Sequence, residues 1–168
     1  LKISANVSHI EMKPVAILLT HGHFDHIGAV EKLKKRYDIP VYASEVEDRL
    51  LLDNRANLSS MFGEPTMICA DKFLRDGENV NIAGFDIKFI LTPGHTPGSG
   101  CYYIADENVL FSGDTLFHAS RGRTDFPGGS EAAIINSIKE KLLKLPGNTD
   151  VYPGHMDTTK IDNEKVYY

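Results

Sequence analysis

Apolar residues recur along the chain at two spacings, and each spacing predicts one kind of secondary structure. Alternating positions or short apolar runs predict strands, here over 15–19, 41–43, 85–91, 101–105, 109–112 and 151–152. Apolar positions three and four residues apart predict helices, here over 27–36, 45–52 and 131–145. Residues 53–70 show neither spacing, and we expect an irregular loop there. Because helices and strands interleave without a repeat or a linker, we expect one α/β domain over 1–168, with layered sheets and outer helices.

The composition excludes several classes of protein. Of 168 residues, 42% are hydrophobic and 24% charged, which is unlike disordered, fibrous or disulfide-dense chains. A net charge of −5 argues against a nucleic-acid-binding surface. No stretch is long and apolar enough to span a membrane and no signal peptide is visible, so we expect a cytoplasmic protein. Cys69 and Cys101 lie in apolar stretches, and we expect both to be buried, reduced thiols.

Three of the seven histidines fall within six residues, together with one carboxylate, in the segment His21-Gly22-His23-Phe24-Asp25-His26. Residues two apart in an extended loop point the same way, so His21 and His23 can bind one ion. Asp25 and His26 enter the next helix and can reach a second ion. Imidazole and carboxylate ligands in this spacing predict a metal site.

Three further ligand-type residues each follow a predicted strand and stand beside a glycine. They are His95, Asp114 and His155, and with the first segment they complete two three-residue sets that share one carboxylate. His118 comes four residues after Asp114 and is a candidate pocket residue, with an exposed surface loop as the alternative. We expect His9, in the polar N-terminal segment, to be solvated.

These residues resemble the motifs of the metallo-β-lactamase-fold superfamily. Thr-His-Gly-His-Phe-Asp-His at 20–26 is similar to its His-x-His-x-Asp-His motif. Pro-Gly-His-Thr at 93–96, Ser-Gly-Asp-Thr-Leu-Phe at 112–117 and Tyr-Pro-Gly-His at 152–155 match its later motifs in the same order. Gly-Arg-Thr-Asp-Phe at 122–126 is similar to the glyoxalase II-like (hydroxyacylglutathione hydrolase) branch.

The resemblance implies an α+β fold, a four-layer αββα sandwich with the site at one edge of its two sheets. It implies a first metal held by His21, His23 and His95, a second held by Asp25, His26 and His155, and Asp114 as the bridge. Asp25 and Asp114 are then the catalytic carboxylates, and Tyr102 and Arg123 match positions that contact glutathione. Both of these also have a structural interpretation, Tyr102 as a phenol at the edge of the core and Arg123 as the partner of Asp125.

The sequence departs from the family pattern at both ends. Family members carry several strands and an Asp-Pro-Gly stretch before the position of Val15, where this sequence has 14 residues. The glyoxalase II helical extension after the last motif is also missing. We therefore expect an N-terminally shortened sandwich with one incomplete sheet, and either a homodimer, a domain-swapped assembly or reduced stability.

Two divalent ions, zinc first and iron or manganese as alternatives, are the expected cofactors. The leading hypothesis is a thioester hydrolase acting on a hydroxyacylglutathione-like small molecule through a metal-bridging hydroxide. A mononuclear iron persulfide dioxygenase shares the fold and the 122–126 stretch, and is the nearest alternative. A non-catalytic zinc-binding relative is the alternative from another class. A β-lactamase or lactonase fits the region after Asp114 less well, and a nuclease of this fold would need an inserted domain.

Overall fold

The computed structural model describes residues 13–168, and His9 lies outside them. The strands follow one another along the chain as β1 Ile17–Leu18, β2 Val41–Ser44, β3 Lys72–Leu74, β4 Asn79–Ile82, β5 Phe85–Leu91, β6 Gly100–Ile104, β7 Val109–Gly113, β8 Leu116–Phe117, β9 Ser120–Arg121, β10 Asp150–Pro153 and β11 Thr159–Lys160. The α-helices are α1 Phe24–Ile27, α2 Val30–Tyr37, α3 Asp48–Leu51, α4 Ser59–Phe62, α5 Glu131–Glu140 and α6 Ile161–Glu164. Two single 3₁₀ turns, Glu45–Glu47 and Leu142–Lys144, lead into α3 and follow α5.

The strands form two principal sheets of unequal width. The smaller sheet is parallel, in the order β1-β2-β3. The larger has the order β11-β10-β7-β6-β5-β4 and is antiparallel except where β10 pairs with β7. Strands β8 and β9 form a separate hairpin.

Three apolar clusters show that these sheets are the middle layers of a four-layer sandwich. The first packs α5 on the outer face of the larger sheet, and includes Ile134, Ile138, Cys101, Tyr103 and Leu110. The second packs α2 and α3 on the smaller sheet, and includes Val30, Leu51, Val41 and Ala43. The third lies between the sheets, and includes Leu74, Ile87, Phe89 and Tyr102. The expected αββα sandwich is thereby confirmed, because each cluster fills one interface between neighbouring layers.

A row of aromatic side chains crosses the inner face of the larger sheet, and the smaller sheet covers only part of it. Cross-strand register aligns Phe89 with Tyr102, Tyr102 with Phe111, and Phe111 with Tyr152. Phe89 and Tyr102 are buried, whereas Phe111 and Tyr152 are each 44% exposed. The described smaller sheet thus leaves the β7–β10 end of this face open.

The predicted strands are all present, while the helices are shorter than predicted. Predicted helix 27–36 begins later, at Val30, and predicted helix 131–145 ends at Glu140 and continues as a 3₁₀ turn. The irregular stretch 53–70 contains the single turn α4. The pattern missed the short strands β3, β4, β8, β9 and β11, each of which has two to four residues and forms by pairing with another strand.

Two sequence expectations concern the burial of the cysteines and membrane-spanning segments. Cys101 is buried as expected, but the expectation for Cys69 is wrong: it is exposed, because its neighbour Ile68 takes the inward position. Within residues 13–168, none of the helices has the length and apolar character that crossing a membrane requires.

Candidate metal centre

Four segments at one edge of the two sheets carry the candidate ligands. The loop from β1 to α1 holds His21 and His23, and α1 itself carries Asp25 and His26. The loops after β5, β7 and β10 hold His95, Asp114 and His155 respectively. Loop residues that follow strands of a rigid sheet are well placed to gather side chains around a ligand.

The first set of ligands is a buried cluster of three imidazoles. Ligand atoms of His21, His23 and His95 all lie within 4.8 Å of one another. The Nδ1 atom of His23 is 2.9 Å from the Nε2 atom of His95. All three side chains are buried. This geometry brings three imidazole nitrogen atoms close together.

The second set is more open to solvent. Ligand atoms of Asp25, His26 and His155 also lie within 4.8 Å of one another. Asp25 Oδ2 is 3.2 Å from His155 Nε2 and 3.7 Å from His26 Nε2. The His155 side chain is 51% exposed, so this set faces the side from which a small molecule would enter.

The Asp114 carboxylate lies between the two sets. Its Oδ1 atom is 3.4 Å from His26 Nε2. Its Oδ2 atom is 3.6 Å from His95 Nε2 and 3.5 Å from His155 Nε2. One carboxylate thus reaches ligands of both sets, which is the arrangement that a bridging ligand requires.

The donor set fits two divalent cations. His21 Nε2, His23 Nε2, His26 Nε2 and Asp114 Oδ1 are buried and have no hydrogen-bond partner among the described residues. Buried polar atoms without partners are costly, and bound cations would satisfy those of His21, His26 and Asp114, while His23 presents its Nδ1 atom beside His95 Nε2. Imidazole and carboxylate donors without thiolate are typical of zinc, iron and manganese sites.

The protonation of the histidines follows from their surroundings. Burial and neighbouring imidazoles hold the pKa of His21 well below its usual value, and burial with His95 nearby lowers the pKa of His23 to about 4. Burial, the largest single influence, disfavours the charge on His26, but the nearby carboxylates of Asp114 and Asp25 together outweigh it and raise the pKa of His26. Neutral imidazole is the form that binds metal, and the lowered pKa values of His21 and His23 favour that form.

Neighbouring oxygens orient two of these imidazoles. The backbone carbonyl oxygen of Arg123 lies 2.7 Å from His95 Nδ1 and accepts its N–H, which leaves Nε2 free for a metal. Thr20 Oγ1 is 3.3 Å from His21 Nδ1. Such contacts of the second ring nitrogen fix the tautomer of metal-binding histidines.

A cavity of about 410 Å³ lies over the ligands. His23, Asp25, His95, Asp114 and His155 line its floor. Its walls are mainly apolar, and they comprise Phe24, Leu58, Phe62, Phe117 and Phe126, with Arg121 and Arg123 beside them. A small molecule in this cavity would therefore contact the candidate metal ligands below it and aromatic side chains around it.

Of the three residues expected to contact substrate, only Arg123 lines this cavity. Its guanidinium forms two 2.6 Å hydrogen bonds to Asp125 and lies 4.0 Å from the centre of the Phe126 ring. The ion pair with Asp125 that the sequence suggested as the structural interpretation is thus present, together with exposure to the cavity.

The structure places Tyr102 and His118 outside this cavity, and substrate contact by either residue stays a prediction. Tyr102 is an inward residue of β6, and its buried hydroxyl donates a 2.8 Å hydrogen bond to the Leu19 carbonyl oxygen. It borders a second cavity, between the sheets. His118 lies exposed in the turn between β8 and β9, where its neighbour Phe117 takes the position in the cavity wall.

Sequence reasoning missed the aromatic wall and one buried carboxylate, Glu47. The wall comes from four separate segments, and a single phenylalanine in a short element or a loop carries no signal of its own. Glu47 is 1% exposed, although it stands in a stretch of charged residues that reads as a solvated surface.

Comparisons with known proteins agree with this geometry. A family model described as the metallo-β-lactamase superfamily matches residues 11–155. The probable metallo-hydrolase YqgX of Bacillus subtilis is 42% identical over 98% of this chain and 79% of its own length. The hydroxyacylglutathione hydrolase GloC of Haemophilus influenzae is 34% identical, again over 98% of this chain and 79% of its own length.

Solved structures are similar over nearly the whole chain. The crystal structure of BLEG-1 B3 metallo-β-lactamase has a TM-score of 0.92 and 42% identity, over 98% of this chain and 80% of that one. TTHA1623 in a di-iron-bound form has a TM-score of 0.85 and 35% identity, over 98% and 81%. ETHE1 from Myxococcus xanthus has a TM-score of 0.80 and 28% identity, over 99% and 66%.

Proposed function

Because the chain belongs to the metallo-β-lactamase superfamily and is a metal-dependent hydrolase of that family, we propose that it cleaves thioesters with two bound divalent cations. The observation that carries this proposal is the position of Asp114 between two sets of three ligands. A site with only one metal would need no carboxylate that reaches both sets. The 34% identity with the hydroxyacylglutathione hydrolase GloC supports thioesters as the substrate class. The stretch 122–126, which is similar to that of the glyoxalase II-like branch, supports the same class.

Two cations held here would supply a hydroxide nucleophile at neutral pH and would polarise the substrate carbonyl. The residues of the chain perform the remaining tasks. Asp114 holds the two ligand sets at a fixed separation, and Asp25 with His26 and His155 forms the solvent-facing side. A thiolate is a weak base and leaves without a proton, so the absence of a general acid among the described cavity residues is no obstacle.

The cavity walls suggest how the two halves of a thioester would be held. Phe24 and Phe62 stack with their ring centres 5.2 Å apart, and form an aromatic wall against which an apolar acyl group would pack. Arg121 and Arg123 also line the cavity, and would receive carboxylates of a glutathione-like thiol. Each is already paired, with Glu131 and Asp125 respectively, so such a thiol would compete with these ion pairs.

The deciding experiment measures metal and hydrolysis on the same sample. Elemental analysis is made on protein purified without added metal, followed by a panel of glutathione thioesters, a persulfide and a β-lactam. We expect about two equivalents of metal per chain and thioester hydrolysis that a chelator removes and added zinc restores. The β-lactam belongs in the panel because a B3 metallo-β-lactamase is 42% identical.

Other results would replace the proposal. About one equivalent of iron with oxygen consumption on the persulfide would favour the dioxygenase, which the similarity to ETHE1 keeps as the second candidate. Turnover of the β-lactam alone would assign that substrate class. Full metal without turnover of any substrate would favour a non-catalytic metal-binding relative.

A further inference from the structure

Glu47 is a buried carboxylate outside both ligand sets, and it joins the two loops that carry the first set. It is 1% exposed and lies at the end of the 3₁₀ turn before α3. Its carboxylate accepts hydrogen bonds from three donors in two distant segments. They are the backbone N–H of Gly22 at 2.9 Å, the hydroxyl of Thr96 at 2.8 Å and the backbone N–H of Gly98 at 2.9 Å.

The donors of Glu47 are the immediate neighbours of metal ligands. Gly22 stands between His21 and His23, and Thr96 directly follows His95. The carboxylate therefore connects the backbone of the first ligand loop to the loop of the third imidazole. These are the two loops whose histidines meet with His23 Nδ1 and His95 Nε2 2.9 Å apart.

The surrounding glycines show that this connection needs close packing. A Cβ atom at Gly98 would collide with the Glu47 carboxylate and backbone. A Cβ atom at Gly22 would lie 2.7 Å from Leu50 and 2.8 Å from Leu51, on the helix that follows Glu47. Both loops thus rest directly on the Glu47–Leu51 segment, with no room for a larger residue.

Burying the Glu47 carboxylate costs free energy, which argues that the side chain has a specific role. Burial raises the pKa of the Glu47 carboxyl, while the hydrogen bonds from Gly22, Thr96 and Gly98 act in the opposite direction. A buried carboxylate with only neutral donors is more costly than an amide or an apolar side chain of the same shape would be. A carboxylate only accepts hydrogen bonds, however, so Glu47 can accept from all three donors at once, whereas an amide or an apolar side chain cannot.

We propose that Glu47 is a positioning residue that sets the spacing of His21, His23 and His95, and thereby the metal affinity of the first set. This inference rests on the metal centre of the proposed function, and it is independent of which substrate is cleaved. Outer contacts of this kind orient metal ligands, and their loss typically weakens metal binding by about 10–100-fold.

The chain provides a matched control in Glu164. This carboxylate is also fully buried, and it likewise accepts from a backbone N–H, that of Ala119 at 2.9 Å, and from a threonine hydroxyl, that of Thr159 at 2.6 Å. Neither partner belongs to a ligand-bearing loop. Glu47→Gln and Glu164→Gln both replace a buried acceptor by an amide that opposes one donor, so both should lower Tm.

The test titrates Co²⁺ into metal-free parent, Glu47→Gln and Glu164→Gln, with a chelator as competitor and the visible spectrum of bound cobalt as readout. We expect the affinity of one of the two sites to fall by about tenfold or more in Glu47→Gln, with an altered spectrum. Glu164→Gln should bind within about twofold of the parent despite its lower Tm. Equal Co²⁺ affinity and spectra for Glu47→Gln and parent would overturn the proposal.

A second pair of variants decides the matter if Glu47→Gln does not fold. Thr96→Val removes one donor to Glu47 and keeps the shape of the side chain, while Thr96→Ser keeps the hydroxyl. We expect weaker Co²⁺ binding in Thr96→Val and an affinity close to that of the parent in Thr96→Ser. Unchanged Co²⁺ binding in Thr96→Val would contradict the proposal. A parent that binds no Co²⁺ would overturn this proposal and the metal centre together, whereas a parent that binds Co²⁺ but cleaves no thioester would overturn only the proposed function.

Discussion

The backbone N–H of Gly154 donates a 2.8 Å hydrogen bond to the carbonyl oxygen of Gly113. Each glycine is followed directly by a candidate ligand, His155 and Asp114. The bond continues the pairing of β10 with β7 beyond a register shift at Tyr152 and Pro153. Two ligands far apart in sequence are therefore held side by side by the backbone of the sheet.

We expect Gly154→Ala to weaken metal binding by the second set. A Cβ atom at Gly154 would collide with Asp114 Oδ1 and would lie 2.8 Å from His26 Cε1, so it would displace two ligands. The expected loss is about tenfold in Co²⁺ affinity at one site. Gly63→Ala is the control, since a Cβ there meets nothing closer than 3.9 Å. Parent-like binding in Gly154→Ala would show that the site tolerates the methyl group.

Asp114→Ala should remove one of the two metals and the activity. Asp114 contacts ligands of both sets, so its loss leaves neither set with its shared donor. Turnover should fall by more than the roughly 10–100-fold that loss of an outer contact costs. The measurement is metal content together with kcat/KM, with the exposed Asp106→Ala as control. Full turnover by Asp114→Ala would be incompatible with a bridging role.

Phe62→Ala should change the acyl preference. Phe62 stacks on Phe24 at the cavity wall, and aromatic contacts of this kind contribute about 0.5–1.5 kcal/mol, or roughly two- to tenfold in kcat/KM. We expect that loss for a phenylacetyl thioester and little change for a lactoyl thioester of the same thiol. Met61→Ala is the control, because Met61 is 70% exposed and does not line the cavity. An equal loss for both acyl groups would contradict the role of the wall.

The two thiols should differ in reactivity. Cys69 is exposed, whereas Cys101 is buried and burial raises its pKa to about 11. Because the thiolate is the reactive form, an aromatic disulfide reagent should modify only Cys69 in the native protein and both residues in denaturant. Cys69→Ser should abolish the native reaction. Rapid reaction of Cys101 in native Cys69→Ser would mean that the α5 face of the larger sheet opens readily.

The open end of the aromatic row should support self-association. Phe111 and Tyr152 are 44% exposed on the inner face of the larger sheet, and β1 has only β2 as its partner among residues 13–168. We propose that a second copy of the chain covers this face, in keeping with the expected homodimer. Sedimentation should show a concentration-dependent dimer that Phe111→Ser with Tyr152→Ser weakens. Phe85→Ser is the control, with the same 44% exposure at the far end of β5. A stable monomer at all concentrations would refute this assembly.

Local features of the sequence were sufficient to predict the longer strands and helices and the ligand segments. Strand β5 carries a regular alternation over its whole length, and the predicted range 85–91 coincides with the observed Phe85–Leu91. The ligand-type residues are recognisable because His95, Asp114 and His155 each stand beside a glycine after a strand, and the other four fall within the segment 21–26. Such signals are contained in a few consecutive residues, so they can be read without knowledge of the rest of the fold.

The identity of cavity and supporting residues depends on distant contacts. Glu47 is separated from Thr96 by 49 positions, and its charge alone indicates a surface residue. Tyr102 and His118 have the chemistry of binding residues, but strand alternation directs one between the sheets and a tight turn directs the other to solvent.

The sequence by itself determined the strand and helix pattern, the ligand types and their order along the chain, because these follow from spacing and side-chain chemistry. The tertiary structure alone decided which loops meet, how Asp114 reaches both ligand sets, and which side chains wall the cavity. The physical reason is that these relations are distances between segments far apart in sequence, and only the packing of the four layers sets them.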